Sequence, residues 1–238
     1  LTHRWGLGDY IAAFEHSLQR PEALNEPLDP IALLGVVPYD PQKPFCYSNT
    51  NYYLLGRLLE ELKSLSFGAI FKELALKVGL SEHSKAPAEG SWKAFQQAYN
   101  SLTPNLNSKI FMNFANAMGS GNLITTTADL LAWNEYFYQR APAELRRWVA
   151  QPHFLDEDGE GMGFTLSTEP TAFGPLIGWQ GYQDSYRSFL GYFPEIQLSV
   201  AILTNNPADF EILTSLFSSF YAKKEPLEGE LAISSALD

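Results

Sequence analysis

The sequence predicts an α+β protein, and three features of its layout carry that expectation. Helical periodicity fills much of the first two thirds, short β-type segments follow Gln151, and an apolar-periodic helix closes the chain. Helices gathered apart from antiparallel strands give segregated layers, whereas strands alternating with helices would give a parallel sheet. The expected division is a mostly helical lobe over 1–150, strands and a C-terminal helix over 151–224, and a flexible tail over 225–238. The two lobes are read as one domain.

The first forty-odd positions hold Pro21, Pro27, Pro30, Pro38, Pro41 and Pro44, which break any long helix into turns. From Thr50 the pattern changes. Leu54, Leu55, Leu58, Leu59, Leu62 and Leu65 recur at helical spacing, with Arg57, Glu60, Glu61 and Lys63 largely between them. A second helix is expected from Phe67 to Val78, with Ile70, Phe71, Leu74 and Val78 inward and Gly79 as C-cap. Residues 84–115 show no period and read mostly as loop.

Order resumes at Thr127, which can N-cap a helix from Ala128 to about Tyr138 with Asp129 near its positive end. A short helix fits Pro142 to Ala150, with proline at its start. Strands are expected over Gly163–Thr168, Gly174–Trp179, Tyr186–Phe193 and Leu198–Thr204, all short and rich in aromatic or branched residues. Pro194-Glu195 reads as the turn of an antiparallel hairpin between the last two. The closing helix runs from about Ala208 to Ala222 on Ile212, Leu213, Leu216, Phe217 and Phe220.

Composition removes several classes of function. Lys plus Arg total 16 against 27 Asp plus Glu, and the resulting charge of -11 repels nucleic acid and anionic membrane surfaces. No stretch approaches the ~18 to 20 apolar residues of a membrane span. The acidic run Asp156, Glu157, Asp158 and Glu160 lacks the spacing of a calcium loop and reads as a solvated surface. The single Cys46 excludes an intrachain disulfide, and a buried side chain is its expected role. Histidines at 3, 16, 83 and 153 have no zinc-ligand spacing, G-x-S-x-G is absent, and Gly6-Leu7-Gly8 follows no strand and reads as a turn. No metal or cofactor is implied.

Chemistry-bearing motifs occur in a fixed order. Leu1-Thr2-His3-Arg4-Trp5-Gly6-Leu7-Gly8-Asp9-Tyr10 comes first, then Tyr47-Ser48-Asn49 leading into a helix. Gly119 to Leu131 follows with Thr125-Thr126-Thr127-Ala128-Asp129. Last come Gly178-Trp179-Gln180-Gly181-Tyr182 and the hairpin containing Tyr192-Phe193-Pro194-Glu195. Together these resemble the L-T-H loop, the Y-S-N motif, a structural G-L-x-S-T-A-x-D-L segment and the K-T-G or H-T-G strand of the serine beta-lactamase superfamily. That superfamily includes class C beta-lactamases, penicillin-binding proteins, DD-peptidases and esterases, and the similarity spans essentially the whole chain.

The resemblance implies a fold of antiparallel sheet flanked by helices plus a mostly helical lobe, and acyl-enzyme hydrolysis of an amide or ester. It assigns proton relay to Tyr47, and to Asn49 hydrogen bonds with the substrate amide and the catalytic lysine. The backbone N–H of Tyr182 becomes a candidate oxyanion donor, and Ser48, Trp179, Gln180 and Gly181 become substrate-binding candidates. The residue chemistry suits these roles: a phenol held near cations ionises more easily, and an amide offers both donor and acceptor.

Two departures qualify the expectation. The superfamily's nucleophile and lysine lie in S-x-x-K, and no serine stands three residues before any lysine here. In relatives that motif precedes the L-T-H loop, along with an N-terminal helix and the first sheet strands. The chain is therefore read as a C-terminal portion of a longer polypeptide, or as one whose sheet another chain completes, with a small molecule or peptide as substrate. Second, Trp179 stands where most active relatives carry lysine or histidine, and indole can neither accept a proton nor carry a charge. The alternative is a catalytically silent relative using the same cleft for binding. Export to a bacterial envelope or periplasm is suggested by resemblance alone.

Overall fold

A computed structural model describes residues 7–11, 31, 47–88, 113–155, 160–183 and 186–221. Most of the proline-rich opening, Cys46, His3, His16, Asp156 to Asp158, most of the 84–115 loop and the 225–238 tail lie outside the described residues.

Helix α1 (Asn49–Lys63) ends where Ser64 turns left-handed at φ 52, and α2 (Phe67–Val78) begins three residues later. Ser66 caps α2 by accepting from the Ala69 N–H. Glu60 on α1 accepts from the Phe67 N–H at 2.7 Å, so the two helices share a joint. Gly79 closes α2 at φ 85 and donates its N–H to the Ala75 carbonyl, as its place in the sequence predicts.

The leucine row of α1 has a different outcome from the one periodicity suggests. Leu58, Leu59, Leu62 and Leu65 are exposed, and the buried positions of α1 are Thr50 and Gly56. Close approach decides this: a Cβ at Gly56 would sit 3.3 Å from Met118 and 3.5 Å from Phe67. The helix presses its neighbours through its smallest residue, and the leucines lie around its flank. In α2, Val78 is buried as expected with Ala75 beside it, but Leu74 is exposed, which corrects its inward assignment.

A 3-10 turn (Phe114–Ala117) precedes α3 (Thr127–Glu135), which continues as a π-helical turn (Tyr136–Arg140) before α4 (Ala143–Ala150). The cap of α3 is Thr126 rather than Thr127; its hydroxyl accepts from the Asp129 N–H at 3.1 Å. Asp129 does more than meet the helix dipole. Its carboxylate accepts from the Ser81 N–H and hydroxyl at 2.9 and 2.6 Å and from the Ser84 hydroxyl at 2.7 Å. Those bonds, first among them the one from the Ser81 hydroxyl, lower its pKa to about 2.

The strands form one antiparallel sheet in sequence order: β1 (Phe154–Leu155), β2 (Gly161–Met162), β3 (Ser167–Thr171), β4 (Gly174–Gln183), β5 (Tyr186–Phe193) and β6 (Leu198–Thr204). The expected strand at Gly163 starts later. Gly163 donates to the Leu166 carbonyl in a turn, and a Cβ there would fall 2.8 Å from the Val149 carbonyl oxygen. The expected β4 extends four residues further, paired with β5 out to Gln183↔Tyr186. The hairpin through Pro194-Glu195 forms as read, with Phe193 opposite Leu198.

Alternation sends the residues of each strand to two faces. On one face Leu176, Phe189 and Phe193 meet Phe210 and Tyr221 of α5 (Pro207–Tyr221), with Val200, Ile202 and Phe217 packed around them. Together they form a buried hydrophobic cluster. Of the residues read as the apolar stripe of α5, Phe217 joins it, whereas Ile212, Leu213, Leu216 and Phe220 remain exposed. On the other face α3 covers part of β5 and β6, where the buried Asn134 amide donates to the Gly191 carbonyl at 3.1 Å. Among the described residues β6 pairs on one side only.

Candidate functional site

The site begins at the joint between the 7–10 loop and the start of α1. The Gly8 carbonyl accepts from the hydroxyls of Ser48 at 3.0 Å and Thr50 at 2.7 Å, and the Tyr10 N–H donates to the Thr50 oxygen at 2.9 Å. Tyr10 is almost wholly buried and its phenol donates to the Asn116 carbonyl, tying the loop to the 3-10 turn. Burial raises its pKa. Every buried polar group in this joint that is named here has a partner, which holds the first turn of α1 in a fixed pose.

On that base stands a chain of hydrogen bonds. Asp9 Oδ2 accepts from Asn49 Nδ2 at 2.7 Å and from the Asn49 backbone N–H at 3.3 Å. Asn49 Oδ1 accepts in turn from the Tyr47 hydroxyl at 3.2 Å. The carboxylate thereby fixes which end of the amide faces Tyr47. Burial, and secondarily the Asp9 charge, push the Tyr47 pKa up to about 12, so the phenol is protonated at neutral pH.

Across from those bonds is β4. The Tyr47 and Trp179 rings stack with centroids 5.4 Å apart and 24° between planes, and Tyr52 flanks Tyr47 at 5.8 Å. Residues 132 positions apart in sequence thus share one wall. β3 accompanies β4 only as far as Ser167↔Gly178. Beyond it Trp179 to Gln183 pair with β5 alone among the described residues, leaving one side of that backbone without a strand opposite.

Gly181 follows Trp179 on the same face, opposite Ser188. A Cβ at Gly181 would lie 2.4 Å from the Ser188 hydroxyl oxygen. These residues border a cleft of about 690 Å³, bounded opposite by Ser120 to Thr125 and floored by Leu190 and Leu203. Gln183 reaches the same wall, its side-chain oxygen 3.0 Å from where a Gly121 Cβ would stand.

The structure joins Tyr47 to Asn49 by a hydrogen bond and to Trp179 by a ring stack, and Trp179, Gln180, Gly181 and Tyr182 border the cleft. Ser48, read as substrate-binding, is fully buried and its hydroxyl serves the Gly8 carbonyl; this corrects its assignment. Gln180 and Tyr182 project from the opposite face of β4. The Tyr182 phenol donates to Gln180 Oε1 at 2.5 Å, and its ring meets Phe210 edge-on at 6.2 Å. Both residues nonetheless border the cleft. Asp9 and Ser188 are functional candidates that sequence reasoning misses, although Asp9 lies within the first motif. The signal available for Asp9 was its position in the loop ending Gly8-Asp9-Tyr10.

A family model described as Beta-lactamase matches residues 1–213. No curated protein matches the chain. Among solved structures, an octameric penicillin-binding protein homologue from Pyrococcus abyssi superposes with a TM-score of 0.68 at 21% identity, over 92% of this chain and 54% of its own. A D-stereospecific amidohydrolase from Streptomyces sp. gives 0.69 at 18%, and a D-amino acid amidase from Ochrobactrum anthropi SV3 gives 0.68 at 16%; each match covers 92% of this chain and 71% of the other. At these identities the likeness is one of fold. The chain spans about half the length of the first of these structures.

Proposed function

Because the chain belongs to the beta-lactamase family, we propose that it forms the larger part of a serine hydrolase that cleaves an amide or ester through an acyl-enzyme. The observation that carries this is the Asp9–Asn49–Tyr47 relay stacked against the Trp179–Gly181 strand beside a cleft. In this reading a segment outside these 238 residues supplies the nucleophilic serine and its lysine. The one-sided β6 edge and the uncovered Ile212, Leu213, Leu216 and Phe220 stripe support the docking of further strands or helices there.

Attack of the serine oxygen on the substrate carbonyl forms the acyl bond. The hydroxyl proton passes by way of the lysine and Tyr47 to the departing amine or alcohol, and water then releases the acid and restores the serine. Asn49 orients Tyr47 and the substrate amide, and the Tyr182 N–H is the candidate donor to the oxyanion. With the complete polypeptide, a fluorophosphonate probe is expected to label a serine outside the present residues. Tyr47→Phe is expected to lower hydrolysis of a nitrophenyl ester by about 10²- to 10⁴-fold.

A second reading, binding without turnover, is favoured by the uncharged Trp179 on the cleft wall. Absence of both label and hydrolysis in the complete polypeptide would leave that reading standing and remove the first.

A further inference from the structure

Trp179, Gly181 and Gln183 form a row on one face of β4, each half-buried, while Gln180 and Tyr182 between them are exposed. Gln183 is the last residue of the strand, and there the strand wall of the cleft meets the wall opposite. Its side-chain oxygen lies 3.0 Å, and its amide carbon 4.0 Å, from the point where a Gly121 Cβ would stand; the Ala117 Cβ is 3.8 Å from the same point. Any side chain at position 121 would press on Gln183. Gly121 is therefore the socket that lets Gln183 reach across the cleft.

Both ends of this contact are held by backbone. The Ala117 carbonyl accepts from the N–H groups of Ser120, Gly121 and Asn122 at 3.0, 2.8 and 3.1 Å. The buried Asn122 side chain accepts from the Gly119 N–H at 3.1 Å and donates to the Pro87 carbonyl at 3.0 Å. The Tyr10 phenol, donating to the Asn116 carbonyl, ties the same turn to the loop that carries Asp9. Across the cleft, Gln183 sits in the ladder opposite Tyr186. What can move is the set of side-chain torsions of Gln183, and swinging them outward gives up its packing in the socket.

A ligand laid along β4 from the Trp179 ring passes Gly181, which has no side chain, and then meets Gln183. We infer that Gln183 limits how far an acyl chain can extend along this cleft and so sets the acyl length the protein accepts. The inference rests on the reading of this cleft as the substrate site and narrows it to short acyl groups. The Leu190 and Leu203 floor is apolar, and each methylene that a ligand buries tightens binding roughly fourfold. That gain stops where the chain reaches the bar.

Methyl ketones keep the carbonyl and lack a leaving group, so binding of 2-pentanone and 2-nonanone to the complete polypeptide can be compared by ligand-observed NMR titration without turnover. The affinity gained by the four added methylenes is expected to be at least about tenfold larger in Gln183→Ala than in the wild type. Gln183→Met, which restores the reach without the amide, is expected to return the gain to within about twofold of the wild type. Gln183→Ser serves in place of the alanine variant should that one fail to fold. The same gain in the wild type and in the shortened variants, a methionine variant that behaves as alanine does, or binding of neither ketone would overturn the inference. The readout is equilibrium binding, so it separates from the hydrolase reading. A protein whose length dependence shifts with residue 183 yet turns over no ester refutes only the hydrolase, and an active hydrolase whose length dependence ignores residue 183 refutes only the bar.

Discussion

The two faces of the sheet are made by the same strands and end in opposite states. On the α5 face Leu176, Phe189 and Phe193 are sealed by Phe210, Phe217 and Tyr221 into an aromatic core. On the other face the alternate residues Trp179, Gly181, Ser188, Leu190 and Leu203 border an open cleft. The difference lies in what the facing layer supplies. α5 brings rings that reach the strands, whereas the loop from Ser120 to Thr125 stands off from them. It is held by polar joints: the Lys85↔Ile124 bridge and the Asp129 bonds to the 81–84 loop. Stability is therefore expected to concentrate on one face and binding on the other, and substitutions can test that division.

The largest expected effect is on the sealed face. Phe193 is completely buried and touches Phe173, Phe217 and Tyr221 through edge or tilted ring contacts. Phe193→Ala removes a ring whose cavity the fixed strands cannot close, and should cost about 3–5 kcal/mol in urea unfolding. A loss below about 1 kcal/mol would break the division between the faces.

That division was only partly legible in the sequence. The 3.6-residue period located α1 and α2 because it depends on neighbours along one helix, and Pro194-Glu195 fixed the last hairpin because turn chemistry is local. Periodicity does not say whether an apolar stripe meets a covering layer. Leu58, Leu62, Ile212 and Leu216 fit the stripe and are exposed, while Gly56, with no side chain, is where α1 makes its close approach. The Tyr47–Trp179 stack and the Asp9–Asn49 bond link distant positions, so neither leaves a local pattern. Motif order brought the first pair into consideration; nothing singled out Asp9. Ser48 was misread for a geometric reason. Its extended backbone, φ -148 and ψ 122, precedes the helix and directs its hydroxyl to Gly8 while its neighbours form the relay.

The next effect in size concerns the polar joints of the open face. Asp129→Ala removes acceptors from Ser81 and Ser84, leaving partly buried donors unmatched, and should cost about 1–3 kcal/mol. Its carboxyl is depressed from an ordinary 3.8 to about 2 in the folded protein. The stabilisation it gives is thus complete above about pH 4 and is lost as pH falls through about 2. Thermal unfolding across that window should show wild type converging on Asp129→Ala as acid is added. A constant gap between the two would mean that the charged form is not what holds the 81–84 loop.

The smallest expected effect on stability is also the sharpest test of the comparison, because it lies on β4 itself. A Cβ at Gly178 would fall 2.5 Å from the Leu190 carbonyl oxygen and 2.9 Å from the Gly191 Cα, both backbone atoms that cannot move without disturbing the ladder. A Cβ at Gly181 would conflict only with the Ser188 hydroxyl, and a serine side chain can rotate away. Gly181→Ala should therefore change unfolding free energy by less than about 1 kcal/mol. The new methyl and the displaced hydroxyl would occupy cleft space beside Trp179, so hydrolysis of a nitrophenyl ester by the complete polypeptide should fall by roughly tenfold. If hydrolysis survives intact while Ser188 is displaced, the substrate does not lie along this strand. If the protein unfolds instead, the open face contributes to stability as the sealed one does, and the two faces are not functionally separate.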